Sequence, residues 1–138
     1  MKIRRFAAFA LILVLCLSLV GCANAIKADE AKAHIKEFLG KVEEGDFTAA
    51  AEYLHPDRPA DLEAFFAEIE ADWGVDFQSG IEIVKYTGFS TALYDSAVDG
   101  AAFSLTFTVK VSGKSATMEI ELVRNDAGFG IYNLDIDT

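Results

Sequence analysis

The hydrophobic period of this chain changes once, from 3.6 to 2 near residue 80, and that change limits the folds open to it. The clearest alternation sets Ala101, Phe103, Leu105, Phe107, Val109 and Val111 against Ala102, Ser104, Thr106, Thr108 and Lys110. It predicts a strand with one apolar face. Ile81-Glu82-Ile83 begins an earlier strand. Ser112-Gly113-Lys114 turns into Thr117–Arg124, where Met118, Ile120 and Leu122 alternate with Glu119 and Glu121. Asn125–Gly128 turns again into a last strand with Tyr132, Leu134 and Ile136 facing inward. Turns this short join antiparallel neighbours.

Upstream of residue 80 the spacing predicts three helices. The first carries Ala31, Ile35, Phe38 and Val42 on one stripe, with Asp29 as its N-cap and Gly40 or Gly45 near its end. Asp46 opens a short second helix with Phe47, Ala50, Ala51 and Leu54, stopped by His55-Pro56. The third aligns Leu62, Phe65, Phe66, Ile69 and Trp73, and Gly74 stands where a left-handed C-cap belongs. Helices first and strands afterwards is a segregated order. The expected architecture is therefore α+β, three N-terminal helices packed on a four-stranded antiparallel sheet that curves around them.

The first residues follow a different logic. Met1–Arg5 is basic, and Phe6–Val20 is a fifteen-residue run in which Ser18 is the one clearly polar member. A bilayer span needs about 20 apolar residues, so this run reads as a signal peptide. Leu19-Val20-Gly21-Cys22 behind it resembles the lipobox of bacterial lipoproteins, in which the cysteine takes a diacylglycerol thioether and becomes the mature N-terminus. Ala23-Asn24-Ala25 is a competing A-x-A site that would release a soluble chain beginning at Ile26. On the lipobox reading, residues 1–21 are signal, 22–28 are the lipidated Cys22 and a short tether, and 29–138 are the domain. Cys16 is then discarded and Cys22 consumed, which leaves no disulfide to support the fold. The expected location is extracytoplasmic, in a bacterial cell envelope, with the chain anchored to a membrane by lipid.

Charge narrows the partners. The 138 residues include 22 acidic and 12 basic side chains, and Lys2, Arg4 and Arg5 lie in the signal, so residues 22–138 carry nine bases against all 22 acids. A nucleic acid backbone requires clustered Lys and Arg, and this balance excludes it as a partner. The same balance denies the domain attraction to acidic headgroups. The expected partners are the membrane, reached through the anchor, and either a small apolar ligand or an envelope protein drawn to the acidic helix faces.

Three features carry a resemblance to the nuclear transport factor 2-like (SnoaL-like, cystatin-like) superfamily: the helix-then-sheet order, Glu44-Gly45-Asp46-Phe47 with a small-residue second helix, and the closing Gly128-Phe129-Gly130-Ile131-Tyr132. The chain is similar in particular to small bacterial lipoproteins with lumazine-binding-like domains of unknown function. The resemblance covers about residues 29–138. It implies a cone with a pocket between the helices and the concave sheet, and no single activity, since the fold hosts enzymes, binders and adaptors.

Enzymes of that superfamily commonly place a carboxylate, His or Tyr inside the cone. Strand parity puts Glu82, Glu119, Glu121 and Asp135 outward, away from any site where burial would raise a pKa. His34 and His55 sit on separate helices with no H-x-x-x-H, C-x-x-C or third ligand, so no metal site is expected. Asp95, Asp99 and Gly100 match part of a calcium loop, but Ala97 and Thr106 occupy two ligand positions and a turn is the better reading. No G-x-S-x-G nucleophile and no phosphate cradle occurs, and no cofactor is expected. Tyr53, His55, Trp73, Tyr86 and Tyr132 are the candidate ligand-binding residues, as polar tips in an apolar pocket. The sequence favours non-catalytic binding. The alternative is a small-molecule enzyme of the SnoaL-like type using acid–base chemistry in the cone.

Overall fold

The computed structural model describes residues 25–94 and 100–138. Helix α1 spans Ala28–Glu43, α2 Phe47–Ala51 and α3 Leu62–Trp73, followed by a 3-10 turn at Phe77–Ser79. Strands β1 (Ile81–Tyr94), β2 (Gly100–Val111), β3 (Lys114–Asn125) and β4 (Gly128–Asp137) form one antiparallel sheet in that order. The fold is α+β, with three helices and a four-stranded antiparallel sheet among the described residues. No helix among the described residues is long and apolar enough to cross a membrane. Cys16, Cys22, Asp95 and Asp99 lie outside the described residues.

The helical stripe and the alternating strand face meet in one core. Ile35, Phe38 and Val42 of α1 and Phe66 of α3 are buried with Leu105, Phe107, Val109, Met118, Ile120 and Leu122. Helix ends follow their local chemistry. Asp46 and Asp61 accept from the backbone N–H groups of Ala49 and Ala64, each at 3.0 Å, and Gly74 closes α3 at φ 70. Asp29 is not the cap of α1. Lys27 holds that position without a side-chain bond, and Asp29 lies in the first turn, where a carboxylate meets the positive end of the helix dipole. Between β2 and β3, Ser112 and Gly113 take φ values of 51 and 79, the doubly positive pattern of a type I′ hairpin.

The packed part of the chain begins before residue 29. Ile26 is 7% exposed and belongs to the core, and Arg124 Nη1 donates to the Ala25 carbonyl at 3.4 Å.

Two departures from simple alternation matter. In β1, Ile83 pairs with Val109 and Lys85 with Thr108, then Tyr86 pairs with Phe107 and Gly88 with Thr106, so Val84 and Thr87 are extra residues in two bulges. In β4, Leu122 pairs with Ile131 and Glu121 with Asn133, which leaves Tyr132 as the extra residue. The expected inward place of Tyr132 is thereby corrected. Ile131 is the buried residue opposite Leu122, and Tyr132 is half-buried at the bulge.

Candidate functional site

A cleft with a partly apolar lining lies between α1 and the edge strand β1. Helix α1 turns Ile35, Phe38, Leu39 and Val42 into the core. The neighbouring stripe of Ala28, Lys32, Lys36, Gly40 and Glu43 borders β1. Across from it stand Ile81, Ile83, Tyr86 and Phe89, register partners of the buried Val111, Val109, Phe107 and Leu105. The bulges decide the place of Tyr86. Uninterrupted alternation from Ile81 would present Lys85, Thr87 and Phe89 to the helix side. The bulge at Val84 brings Tyr86 there instead of Lys85, and the bulge at Thr87 cancels the first shift, so Phe89 faces the helix side on the parity of Ile81 and Ile83.

Tyr86 divides the cleft into two openings. One of about 400 Å³ is lined by Lys36, Leu39, Gly40, Glu43, Ile81 and Ile83. The other, of about 530 Å³, is lined by Ala28, Lys32, Phe89, Phe103 and Leu105 with the backbone around Gly88. The Tyr86 ring packs on Phe107 with centroids 5.8 Å apart, and Lys32 Nζ stands 4.6 Å from the Tyr86 centroid, a cation over an aromatic face. Tyr86 is 40% exposed, and its partial burial pushes the hydroxyl above its ordinary pKa. Glu43 is engaged elsewhere, since its Oε2 accepts the first backbone N–H of β1, from Ile81, at 3.0 Å.

A second cluster lies at the opposite edge of the sheet. His55 is 1% exposed. Its Nδ1 accepts from Asp57 N–H at 3.1 Å, so the ring hydrogen is on Nε2, which donates to Asn125 Oδ1 at 2.9 Å. Asn125 Oδ1 also accepts from Ala127 N–H at 3.0 Å, fixing the β3–β4 turn. Residues 53–55 run beside β4: Ile131 N donates to the Tyr53 carbonyl and His55 N to the Ile131 carbonyl, at 2.9 and 2.8 Å. His34 Nε2 donates to the same Tyr53 carbonyl at 2.8 Å, and its ring packs against Tyr53 and Phe129. Tyr132 lies edge-on to His55, with the Arg58 guanidinium 4.3 Å from its centroid, beside a smaller opening of about 210 Å³.

The five candidates named from sequence therefore do not converge. Tyr53, His55 and Tyr132 gather at the β4 edge and Tyr86 stands at the β1 edge. Trp73 packs on Phe77 at the end of α3. His55 serves as a clasp, since both ring nitrogens are spent on holding two loops together. The strand acids lie on the face away from the helices: Glu82 pairs with Lys110, and Glu121 accepts from Asn133 Nδ2 at 2.8 Å. Among the described residues no group of three His, Cys, Asp or Glu is placed to hold a metal ion.

Sequence reasoning passed over Lys32, Lys36 and Phe89. The signal available for the lysines was their i, i+4 spacing beside the apolar stripe of α1. For Phe89 the signal was its even offset from Ile81 and Ile83, which survives because the two bulges cancel before it, whereas the place of Tyr86 depends on the first bulge. No family model, no curated protein and no solved structure matches this chain.

Proposed function

We propose that this chain is a membrane-tethered extracytoplasmic binding domain, a lipoprotein anchored at Cys22 with a cystatin-like, nuclear transport factor 2-like cone, that holds a small and mostly apolar ligand between α1 and β1. One observation carries the ligand reading: two adjoining openings of about 400 and 530 Å³ share Tyr86 and are floored by Ile81, Ile83, Phe103 and Leu105. Concave, largely apolar volumes of this size with a few polar tips are what small-molecule sites offer. Binding is favoured over catalysis because the one buried histidine, His55, has both ring nitrogens committed inside the fold.

The packing of Ala25 and Ile26 supports the anchor at Cys22 over cleavage before Ile26. Cleavage there would remove the carbonyl that Arg124 donates to and place a charged amino group beside a side chain only 7% exposed. Attachment at Cys22 leaves both intact.

Intact and native mass spectrometry of the protein purified from its own host tests the proposal. The expected result is a mature chain starting at an acylated Cys22, with a retained small molecule displaced by substitutions at Tyr86. A chain starting at Ile26 without acyl groups refutes the anchor. A co-purifying envelope protein with an empty cleft refutes the ligand.

A further inference from the structure

The cleft between α1 and β1 also states what kind of ligand suits it. Lys32 and Lys36 stand one helical turn apart on the same stripe, one at each opening. Like charges at i, i+4 repel, and among the described residues neither lysine forms an ion pair with a carboxylate. That is unusual placement in a chain where acids outnumber bases 22 to 12. Glu43, the acid within the cleft, is held by the Ile81 backbone. The site therefore sets two lysines against one carboxylate, a net positive rim over an apolar floor. Lysine suits this position because its stem lies along apolar surface while the ammonium stays at the water boundary.

The apolar half continues outward. Phe89 is 77% exposed, with its ring stacked on Phe103 at a centroid distance of 6.3 Å. It lines the same opening as Lys32 and Ala28. Ala28 is two residues from the buried Ile26, so this opening lies at the end of the domain where the chain leaves toward Cys22. Three residues, 22–24, reach at most about 10 Å.

Resting on the ligand reading above, we infer that the cleft takes a free single-chain carboxylate amphiphile, of the fatty-acid type, with its head between Lys32, Lys36 and the Tyr86 hydroxyl and its chain over Phe89, Phe103 and Leu105. A carboxylate accepts from two ammonium groups and a phenol at once, in charge-assisted hydrogen bonds. The acidic balance of the domain repels an anionic bilayer surface, while a monomeric amphiphile brings one charge to a local positive rim.

Equilibrium dialysis of the full chain against radiolabelled dodecanoate, below its micelle concentration and with dodecanol as the uncharged control, tests this. Uptake by the apolar N-terminal run is non-saturable and common to all variants, so the saturable component reports the cleft. Dodecanoate is expected to bind at one saturable site, at least tenfold more tightly than dodecanol. The Lys32→Gln/Lys36→Gln protein should lose at least tenfold in dodecanoate affinity with dodecanol unchanged, and Phe89→Ser should weaken both ligands. All three positions border solvent, and unchanged thermal melts verify folding. If dodecanol binds as tightly as dodecanoate and the lysine variant alters neither, the carboxylate head is refuted while the apolar cleft stands. If neither ligand saturates, or Phe89→Ser changes nothing, the cleft reading itself falls.

Discussion

Gly130 lies against the backbone of His55 so closely that a Cβ on it would sit 2.5 Å from the His55 nitrogen. The same Cβ would sit 2.5 Å from the Leu54 carbonyl carbon, so the conflict is with main chain that no rotamer change relieves. Only a residue without a side chain lets residues 53–55 bond to β4 through Ile131. The glycine–aromatic sequence of the last strand thus has a steric cause at Gly130.

Gly130→Ala should therefore separate the 53–55 segment from β4 and lower stability by about 1–3 kcal/mol, as overpacking does. Urea unfolding reads this as a lower midpoint. Hydrogen exchange should show earlier loss of protection at the amides of His55 and Ile131, whose bonds are 2.8 and 2.9 Å in the native fold.

The His55–Asn125 bond is expected to behave as a structural clasp. A double-mutant cycle with His55→Ala and Asn125→Ala should give a coupling of about 0.5–1.5 kcal/mol, the net value of one hydrogen bond. His55→Ala should leave dodecanoate affinity unchanged within twofold, because the clasp and the cleft lie at opposite edges of the sheet. Loss of binding in that variant would place the ligand at the β4 edge instead.

Two phenylalanines should report the inner face differently. Phe107 is 0% exposed at the centre of the sheet, and Phe107→Ala should cost about 3–5 kcal/mol in urea unfolding. Phe89 is 77% exposed on the same face, and Phe89→Ala should stay within about 0.5 kcal/mol of the parent.

The Arg124 guanidinium, hydrogen-bonded to Glu30, holds the Glu30 carboxyl below the ordinary glutamate pKa. A depressed carboxylate stabilises the fold above its unfolded value, near 4.5, and that contribution disappears as pH falls through the folded value. Glu30 is 39% exposed, so solvent screening limits the effect to under about 1 kcal/mol. Stability against pH for Glu30→Gln should lie slightly below the parent at pH 7. The two curves should merge in strong acid.

The sequence by itself determined the elements and their order. Periodicity, caps at Asp46 and Asp61, Gly74 and the Ser112-Gly113 turn are all local, because each depends on residues within one turn or one alternation. The strand acids were placed outward by the same local parity. What tertiary structure alone decided is where that parity breaks. The bulges at Val84, Thr87 and Tyr132 arise from pairing across strands, and a single inserted residue moves every later side chain to the other face. For that reason Tyr86 reaches the helix side beside Lys32 and Lys36, and Phe89 joins it there because the second bulge cancels the first. Tyr53, His55 and Tyr132 gather at the far edge. A residue's neighbours along the chain fix its conformation, but its register against another strand fixes the company its side chain keeps.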